Sequence, residues 1–420
     1  MSHDSGNDTR EQPEPAARTG HRLSRRHLLL GGAAAGIGAA GAIGVDFVAQ
    51  AGIGGTAPTM VPLFNGTEAV PFFGVHQAGV DTEPQARVAF VALSLLPVVD
   101  RAALRRMMRI LTGDAARLTQ GEAALADSEP ELAVVPARLT VTFGFGPRLV
   151  AVAGGDAPGW LRPRPAFTID RLQPEWNGGD LLMQIAADDP MTVAHATRML
   201  LKDLRSFATV RWVQSGFRRS AGSEKPGTTM RNLFGQVDGT ANPVVGTADF
   251  DGVVWGRADN PGWLVGGTGF VLRRISLDLD KWDKLDRSGR ESTIGRTLAT
   301  GAPLTGAREN DVPDFEAKTA LGFPVIPEFS HLRRARSEDT TQRIHRRGYN
   351  YDDAPSGTGV SNSGLLFACF QADVDAQFVP IQTRLDTLDL LNEWTTPIGS
   401  AVFAIPPGCS PDGYIGETLF

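Results

Sequence analysis

Apolar positions along the chain fall into two successive blocks of similar rhythm. In the first, Arg87-Val88-Ala89-Phe90-Val91-Ala92-Leu93 reads as a strand, because a short, nearly continuous apolar run with Val and Phe suits a buried sheet. Arg101 to Leu118 then sets Leu104, Met107, Met108 and Leu111 at helical spacing, one apolar stripe on an otherwise polar helix. Leu139 to Phe145 alternates as a strand, and Leu181 to Ile185 forms another. Pro190 to Leu204 predicts a helix with proline near its start, where a missing N–H costs nothing, and Ala208 to Gln214 a last strand. The order is βαββαβ.

The second block repeats the rhythm less regularly. Gly269 to Leu277 is a strand, residues 281–298 are polar and helical in part, and Gly364 to Gln371 is a strongly apolar strand. Val379 to Trp394 predicts a helix, and Ala401 to Ile405 a closing strand before Pro406-Pro407. Two βαββαβ units predict an α+β fold of two ferredoxin-like modules, with antiparallel sheets and helices on one face of each. Their bounds are residues 60–218 and 219–420. The connection over residues 300–363 is too long for a bare loop and predicts a functional insertion.

Residues 1–51 stand apart from this pattern. Ser24-Arg25-Arg26-His27-Leu28-Leu29-Leu30 precedes an uncharged Gly/Ala-rich run from Gly31 to Val45, and Ala49-Gln50-Ala51 fits an A-x-A cleavage site. This reads as a twin-arginine signal, so the expectation is an exported protein, periplasmic or extracellular, that meets a membrane only through that signal. An uncleaved N-terminal anchor is the competing reading. The twin-arginine route carries folded proteins, which favours a bound prosthetic group.

Composition narrows the chemistry. Hydrophobic residues make up 42% and charged residues 21%, as in a soluble globular protein, and a formal charge of −6 disfavours nucleic acid as a partner. Two cysteines, Cys369 and Cys409, exclude a disulfide scaffold, an iron–sulfur cluster and a Cys-rich zinc site. Cys369, inside an apolar run, reads as a small buried hydrophobe.

Candidate chemistry begins at Gly235-Gln236-Val237-Asp238-Gly239. Glycines on both sides of one carboxylate let the main chain approach a flat ligand with Asp238 held over it, although an Asp-Gly pair also fits an ordinary turn. Beyond the leader the histidines are His76, His195, His331 and His345, with no H-E-x-x-H, so a zinc hydrolase is poorly supported and a single axial ligand stays open. His195, inside a predicted helix, reads as a satisfied histidine, and His76 as a loop or cofactor-edge residue. His331 lies in Ser330-His331-Leu332-Arg333-Arg334-Ala335-Arg336. A neutral imidazole can ligate ferric iron while guanidinium groups neutralise haem propionates; a solvated basic loop is the alternative. Arg343 to Tyr351 adds a second basic cluster interleaved with aromatics, for which the net charge argues against nucleic acid.

Taken together these motifs resemble the dye-decolourising peroxidases, in their exported twin-arginine branch. The matching segments are Gly235 to Gly239, Ser330 to Arg333, Arg346-Arg347-Gly348-Tyr349, Gly364 to Phe367, His76-Gln77-Ala78-Gly79 and Gly178 to Leu182, spread over essentially the whole chain after the leader. The resemblance implies b-type haem (iron protoporphyrin IX) in the C-terminal module, with His331 as proximal iron ligand and Asp238 and Arg346 over the distal face. It implies an enzyme that reduces hydrogen peroxide and oxidises small organic donors of aromatic or dye type. An ionised Asp238 would carry peroxide's proton from one oxygen to the other. Arg346 would stabilise charge on the leaving oxygen and keep Asp238 ionised into mildly acidic conditions. On this view Gly235 and Gly239 make room for a porphyrin edge, and Arg333 meets a propionate. Leu365 and Phe367, two apart on a strand, wall the pocket. Asp386 or Asp389 accepts from the other ring nitrogen of His331.

There are departures from the family pattern. His345 follows Ile344 where an apolar residue is more usual, and Arg336 stands where Asn is common, so His345 competes with His331 for the ligand role. Bulky donors could not enter such a pocket; Trp255, Trp263, Tyr349 and Tyr351 are candidates for relaying electrons, and each also fits a packing role. An alternative function is an exported protein that releases iron from haem. A non-catalytic haem-binding module is a third, which Asp238 and Arg346 argue against.

Overall fold

The computed structural model describes residues 66–420 except 164–166, 257–259, 356 and 358, so the proposed signal over 1–51 and the start of the first module at residue 60 lie outside the described residues. The nine strands among them are β1 Arg87–Leu95, β2 Thr140–Phe145, β3 Leu181–Ala187, β4 Ala208–Phe217, β5 Thr268–Leu277, β6 His345–Arg346, β7 Tyr349–Asp353, β8 Asn362–Gln371 and β9 Thr395–Ile405. All pair antiparallel. The first half runs in the order β2-β3-β1-β4 and the second in the order β9-β5-β8-β7.

The two halves do not keep separate sheets. Phe145 pairs with Ala404 and Phe217 with Asn350, so β2 meets β9 and β4 meets β7. Because β5 also pairs with β8, eight strands close into a ring. Closure removes exposed sheet edges, which otherwise invite pairing with other chains. β6 lies further along the edge of β8 that β7 uses, with Arg346 opposite Cys369.

Alternation along the strands sends side chains to two cores. Val88, Phe90, Ala92, Phe270, Leu272, Leu366, Ala368 and Phe370 fill the inside of the ring. Val91, Leu93, Phe143, Met183, Val271, Cys369 and Val402 face outward under helices. Burial on both faces is why the strands read as nearly unbroken apolar runs.

Helix α1, Arg101–Thr119, is capped by Asp100, which accepts from Ala103 N at 2.7 Å. Its stripe of Leu104, Met107, Met108 and Leu111 is buried as predicted, each side chain contributing about 1.5–3 kcal/mol. Helix α2, Pro147–Ala153, was not predicted; Pro147 opens it, and Gly154 at φ 75° ends it in the left-handed conformation glycine tolerates. Helix α3, Pro190–Asp203, starts at the Asp189 cap. The second half carries α4 Ala248–Val254, α5 Leu279–Trp282, α6 Arg287–Ile294, α7 His331–Ala335 and α8 Val379–Leu388.

The single helix predicted over 379–394 is broken. A π turn over Val374–Phe378 leads into α8, and a separate 3-10 turn covers Leu390–Glu393. Between them Asp389 is extended (φ −75°, ψ 115°) and one carboxylate oxygen accepts from Leu391 N at 3.0 Å. That interruption frees the other oxygen. No helix among the described residues is long and apolar enough to cross a membrane.

Candidate active site

Asp238 sits on one arm of a tight hairpin. Arg231 bridges Val237, Asn232 N donates to Gln236 O at 3.0 Å, and Asp238 N donates to Met230 O at 2.8 Å. Gly235, at φ 80°, makes the turn, and its N–H bonds Asn232 O at 2.9 Å. Gly239, at φ 133°, passes Thr229 so closely that a Cβ there would lie 3.3 Å from the threonine methyl. Both glycines thus serve the backbone path that presents Asp238.

Arg346, on β6, reaches Asp238 from the other side: Nη1 donates to Asp238 Oδ1 at 2.9 Å, with the side chains 25% and 19% exposed. The Asn232 amide lies 3.4 Å from Asp238 Oδ2. The pair is partly enclosed, open enough for a small oxidant, and charge-assisted hydrogen bonds of this kind are stronger than neutral ones.

His331 opens α7. Leu390 N donates to Phe329 O at 3.0 Å, which ties the end of α8 to the start of α7 and brings Asp389 to His331. His331 Nδ1 donates to Asp389 Oδ2 at 2.6 Å. Asp386 instead accepts from Thr168 and Ile169, so of the two carboxylates left open by the sequence Asp389 is the partner. Burial works against a charged His331 ring, yet the charge and hydrogen bond of Asp389 outweigh it and hold the histidine above its ordinary range; Arg346 lowers and Asp238 raises the same value. Asp238, Arg346 and His331, from three distant segments, therefore act on one another electrostatically.

His331 Nε2 bonds nothing among the described residues, and the side chain is 32% exposed. One nitrogen fixed by a carboxylate and one free is the arrangement of a metal-ligating histidine, so the donor set fits an axially bound haem iron. The surrounding guanidinium groups fit its propionates by charge. Arg333 donates to Phe315 O at 2.9 Å and lies over the Phe315 ring, with N–H groups left over. Arg336 is exposed and donates to no described residue, while its charge, with that of Arg346, lowers Arg296, for which burial is the larger cause.

Other expectations resolve differently. His345 is buried, edge-on to Phe250 at 5.1 Å, and is pushed down to about 4 by burial and by the charges of Arg347, Arg218 and Arg346. It pairs within the sheet beside Phe370, so it is a packed neutral ring. His195 is a buried core histidine paired through Nε2 with Asp127, and His76 stacks on Trp255 at 3.6 Å while its Nδ1 meets Gly266 O. Leu365 is buried and packs near Gly348, just after Arg346, whereas Phe367 packs on Phe378. Trp255, Trp263, Tyr349 and Tyr351 are all buried, which is the packing role.

Sequence reasoning missed Asn242 and Glu309. Asn242 Nδ2 donates to Arg346 O at 2.7 Å, and Arg346 N donates to Asn242 Oδ1 at 3.0 Å. Glu309 Oε1 accepts from the hydroxyls of Thr229 and Thr240. An Asn four residues after Asp238 was visible, but nothing in its spacing pointed to residue 346.

A closed antiparallel sheet carrying a free histidine nitrogen opposite a carboxylate–guanidinium pair fits a haem-dependent oxidoreductase. Comparison with known proteins makes this specific. The family Dyp-type peroxidase, N-terminal, matches residues 77–218 and Dyp-type peroxidase, C-terminal, matches residues 229–410. A DyP-type peroxidase from Cellulomonas bogoriensis is 55% identical, its crystal structure matching with TM-score 0.82 over 84% of this chain and 98% of that one. The X-ray generated oxyferrous complex of DtpA from Streptomyces lividans, 38% identical, matches with TM-score 0.81 over 84% of this chain and 98% of that one. A deferrochelatase from Escherichia coli is 36% identical over 421 residues, 94% of this chain and 96% of the relative. The chain belongs to the Dyp-type peroxidase family, and is accordingly a haem peroxidase.

Proposed function

We propose that the enzyme reduces hydrogen peroxide at a haem held by His331 Nε2, with Asp238 and Arg346 as the residues that act on peroxide, and that it oxidises small aromatic, dye-like donors. Bound haem b would supply the iron that takes up peroxide and the oxidising equivalents that pass to the donor. Asp389 holds the Nδ1 proton of His331, which fixes the tautomer and makes Nε2 a better ligand. Ionised Asp238 takes a proton from one peroxide oxygen and gives it to the other. Arg346 stabilises the negative charge that grows on the leaving oxygen and orients the Asp238 carboxylate. Leu365 limits water at the Arg346 side, while Arg333, with its spare donors, meets a propionate. The observation that carries this reading is the 2.9 Å Arg346–Asp238 contact, electrostatically coupled to a histidine with a free ring nitrogen.

Stopped-flow mixing of haem-loaded protein with peroxide, followed in the Soret band, tests it. Asp238→Ala and Arg346→Leu are each expected to slow the second-order reaction about 10²–10⁴-fold, the range for a lost acid–base group. An unchanged rate in Asp238→Ala would remove that residue from the role.

The deferrochelatase relative favours a second reading, in which the protein releases iron from haem. Recovery of metal-free protoporphyrin with its ring intact, after incubation with haem under reducing conditions, would support it. The proposal extends to organisation and location: residues 60–218 and 219–420 as two ferredoxin-like modules, supported by the parallel strand orders β2-β3-β1-β4 and β9-β5-β8-β7, and twin-arginine export directed by residues 1–51.

A further inference from the structure

The residues that hold Asp238 against Arg346 come from outside the motif that carries Asp238. The hairpin over residues 230–238 is anchored along its length at Arg231, whose carbonyl accepts from Asn350 Nδ2 at 3.0 Å and whose guanidinium donates to Leu298 O and Ala299 O, which leaves its two ends to be fixed. One carboxylate oxygen does this. Thr229, just before the hairpin, donates its hydroxyl to Glu309 Oε1 at 2.7 Å, and Thr240, just after Gly239, donates to the same atom at 2.8 Å. Glu309 belongs to the insertion, where Arg296 Nη1 donates to its carbonyl at 2.9 Å and to Gly301 O. Gly301 in turn packs so closely on Val237 that a Cβ there would lie 2.9 Å from the valine side chain.

The second fixture reaches Arg346 directly. The side-chain amide of Asn242 makes both bonds that a neighbouring strand would make to Arg346, donating to its carbonyl at 2.7 Å and accepting from its N–H at 3.0 Å. Asn242 N also donates to Gly239 O at 3.0 Å, which folds the chain back toward Asp238. The segment that carries the carboxylate is therefore stitched to the main chain of the arginine it contacts.

We infer that Asn242 and Glu309 are positioning residues for the peroxide reaction: Glu309 closes the Asp238 hairpin, and Asn242 fixes the Arg346 backbone relative to it. The inference rests on the proposed roles of Asp238 and Arg346. Neither Asn242 nor Glu309 touches the reacting atoms; they act by keeping two charged groups within hydrogen-bond reach, where a displacement near 1 Å can cost about 10²-fold in rate. The insertion thereby has a function, because it supplies the acceptor that the hairpin lacks.

The test is stopped-flow kinetics of peroxide with haem-loaded Asn242→Ala and Glu309→Ala, run beside Asp238→Ala. Each is expected to slow the peroxide reaction roughly tenfold or more and to leave haem content and the KM for the organic donor unchanged. Glu309→Gln keeps an acceptor oxygen and should restore most of the rate. If the alanine variants do not fold, Thr240→Val removes one donor with little change of shape and should still slow the peroxide reaction. Soluble, haem-loaded variants with the parent rate would overturn the inference, as would a loss of rate in Glu309→Ala that Glu309→Gln does not restore. A parent-like rate in Asp238→Ala would instead overturn the reading beneath it.

Discussion

Two histidine–carboxylate pairs sit in opposite halves of the molecule and differ in what surrounds them. In the N-terminal half, His195 Nε2 meets Asp127 Oδ2 at 2.8 Å with the side chains 2% and 0% exposed. In the C-terminal half, His331 Nδ1 meets Asp389 Oδ2 at 2.6 Å, the aspartate 3% exposed but the histidine 32%. The remaining nitrogen of His195, Nδ1, is buried and bonds nothing among the described residues. The remaining nitrogen of His331 faces accessible space. Asp127 is held below its ordinary range despite burial, by the Glu129 N–H and by His195, so its charge serves the fold. The pair itself does not make a site; access to the second nitrogen does.

The largest expected effect separates the two histidines. His331→Ala should abolish stable haem loading, seen as loss of the Soret band on reconstitution, while His195→Ala should load haem as the parent does. His195→Ala should instead cost about 3 kcal/mol in urea unfolding, because it strands a buried carboxylate. Haem loss in His195→Ala, with His331→Ala unaffected, would reverse the comparison. The carboxylates should separate less sharply. Asp389→Asn keeps an acceptor but loses the charge, and should weaken haem binding or activity by about 10–100-fold, read by haem titration. Asp127→Asn should leave haem affinity alone and lower stability by about 1–3 kcal/mol.

Much of this was legible where local pattern decides the outcome. The apolar runs of β1, β3, β5 and β8, the stripe of α1 and the proline opening α3 were read with small errors at the ends, because burial on one or both faces leaves a period in the sequence. β6 and β7 were missed, since Arg346, Arg347, Asp352 and Asp353 interrupt any apolar alternation. The ring closure was not legible at all: it depends on single pairings such as Phe145 with Ala404, far apart in sequence. Asp238, Arg346 and His331 were singled out through the resemblance of their segments to a family. The choice between Asp386 and Asp389 needed the break after α8, which no propensity marked. Glu309 lies in a stretch without periodicity, and one acceptor shared by two threonines has no sequence signature.

The smallest expected effects extend the comparison to pH and carry opposite signs. Asp203, at the end of α3, is pushed up to about 7 by burial and by the neighbouring Asp114 carboxylate. Its ordinary value is 3.8, so its contribution to stability is fully present below that value and is lost as pH rises through about 7. His345, beside Arg346, is pushed down to about 4 from 6.5, chiefly by burial. The unfolded chain then binds a proton that the folded one refuses, so its contribution is present above 6.5 and lost as pH falls toward about 4. Asp203→Asn should therefore flatten the decline of Tm on the neutral side, and His345→Phe, which fits between Phe250 and Phe370, the decline on the acid side, each by an amount on the order of 2 °C. Only the histidine lies next to the proposed peroxide-handling pair. A peroxide rate profile that moves with Asp203→Asn, and not with His345→Phe, would show that the N-terminal half controls the site through something other than the contacts described.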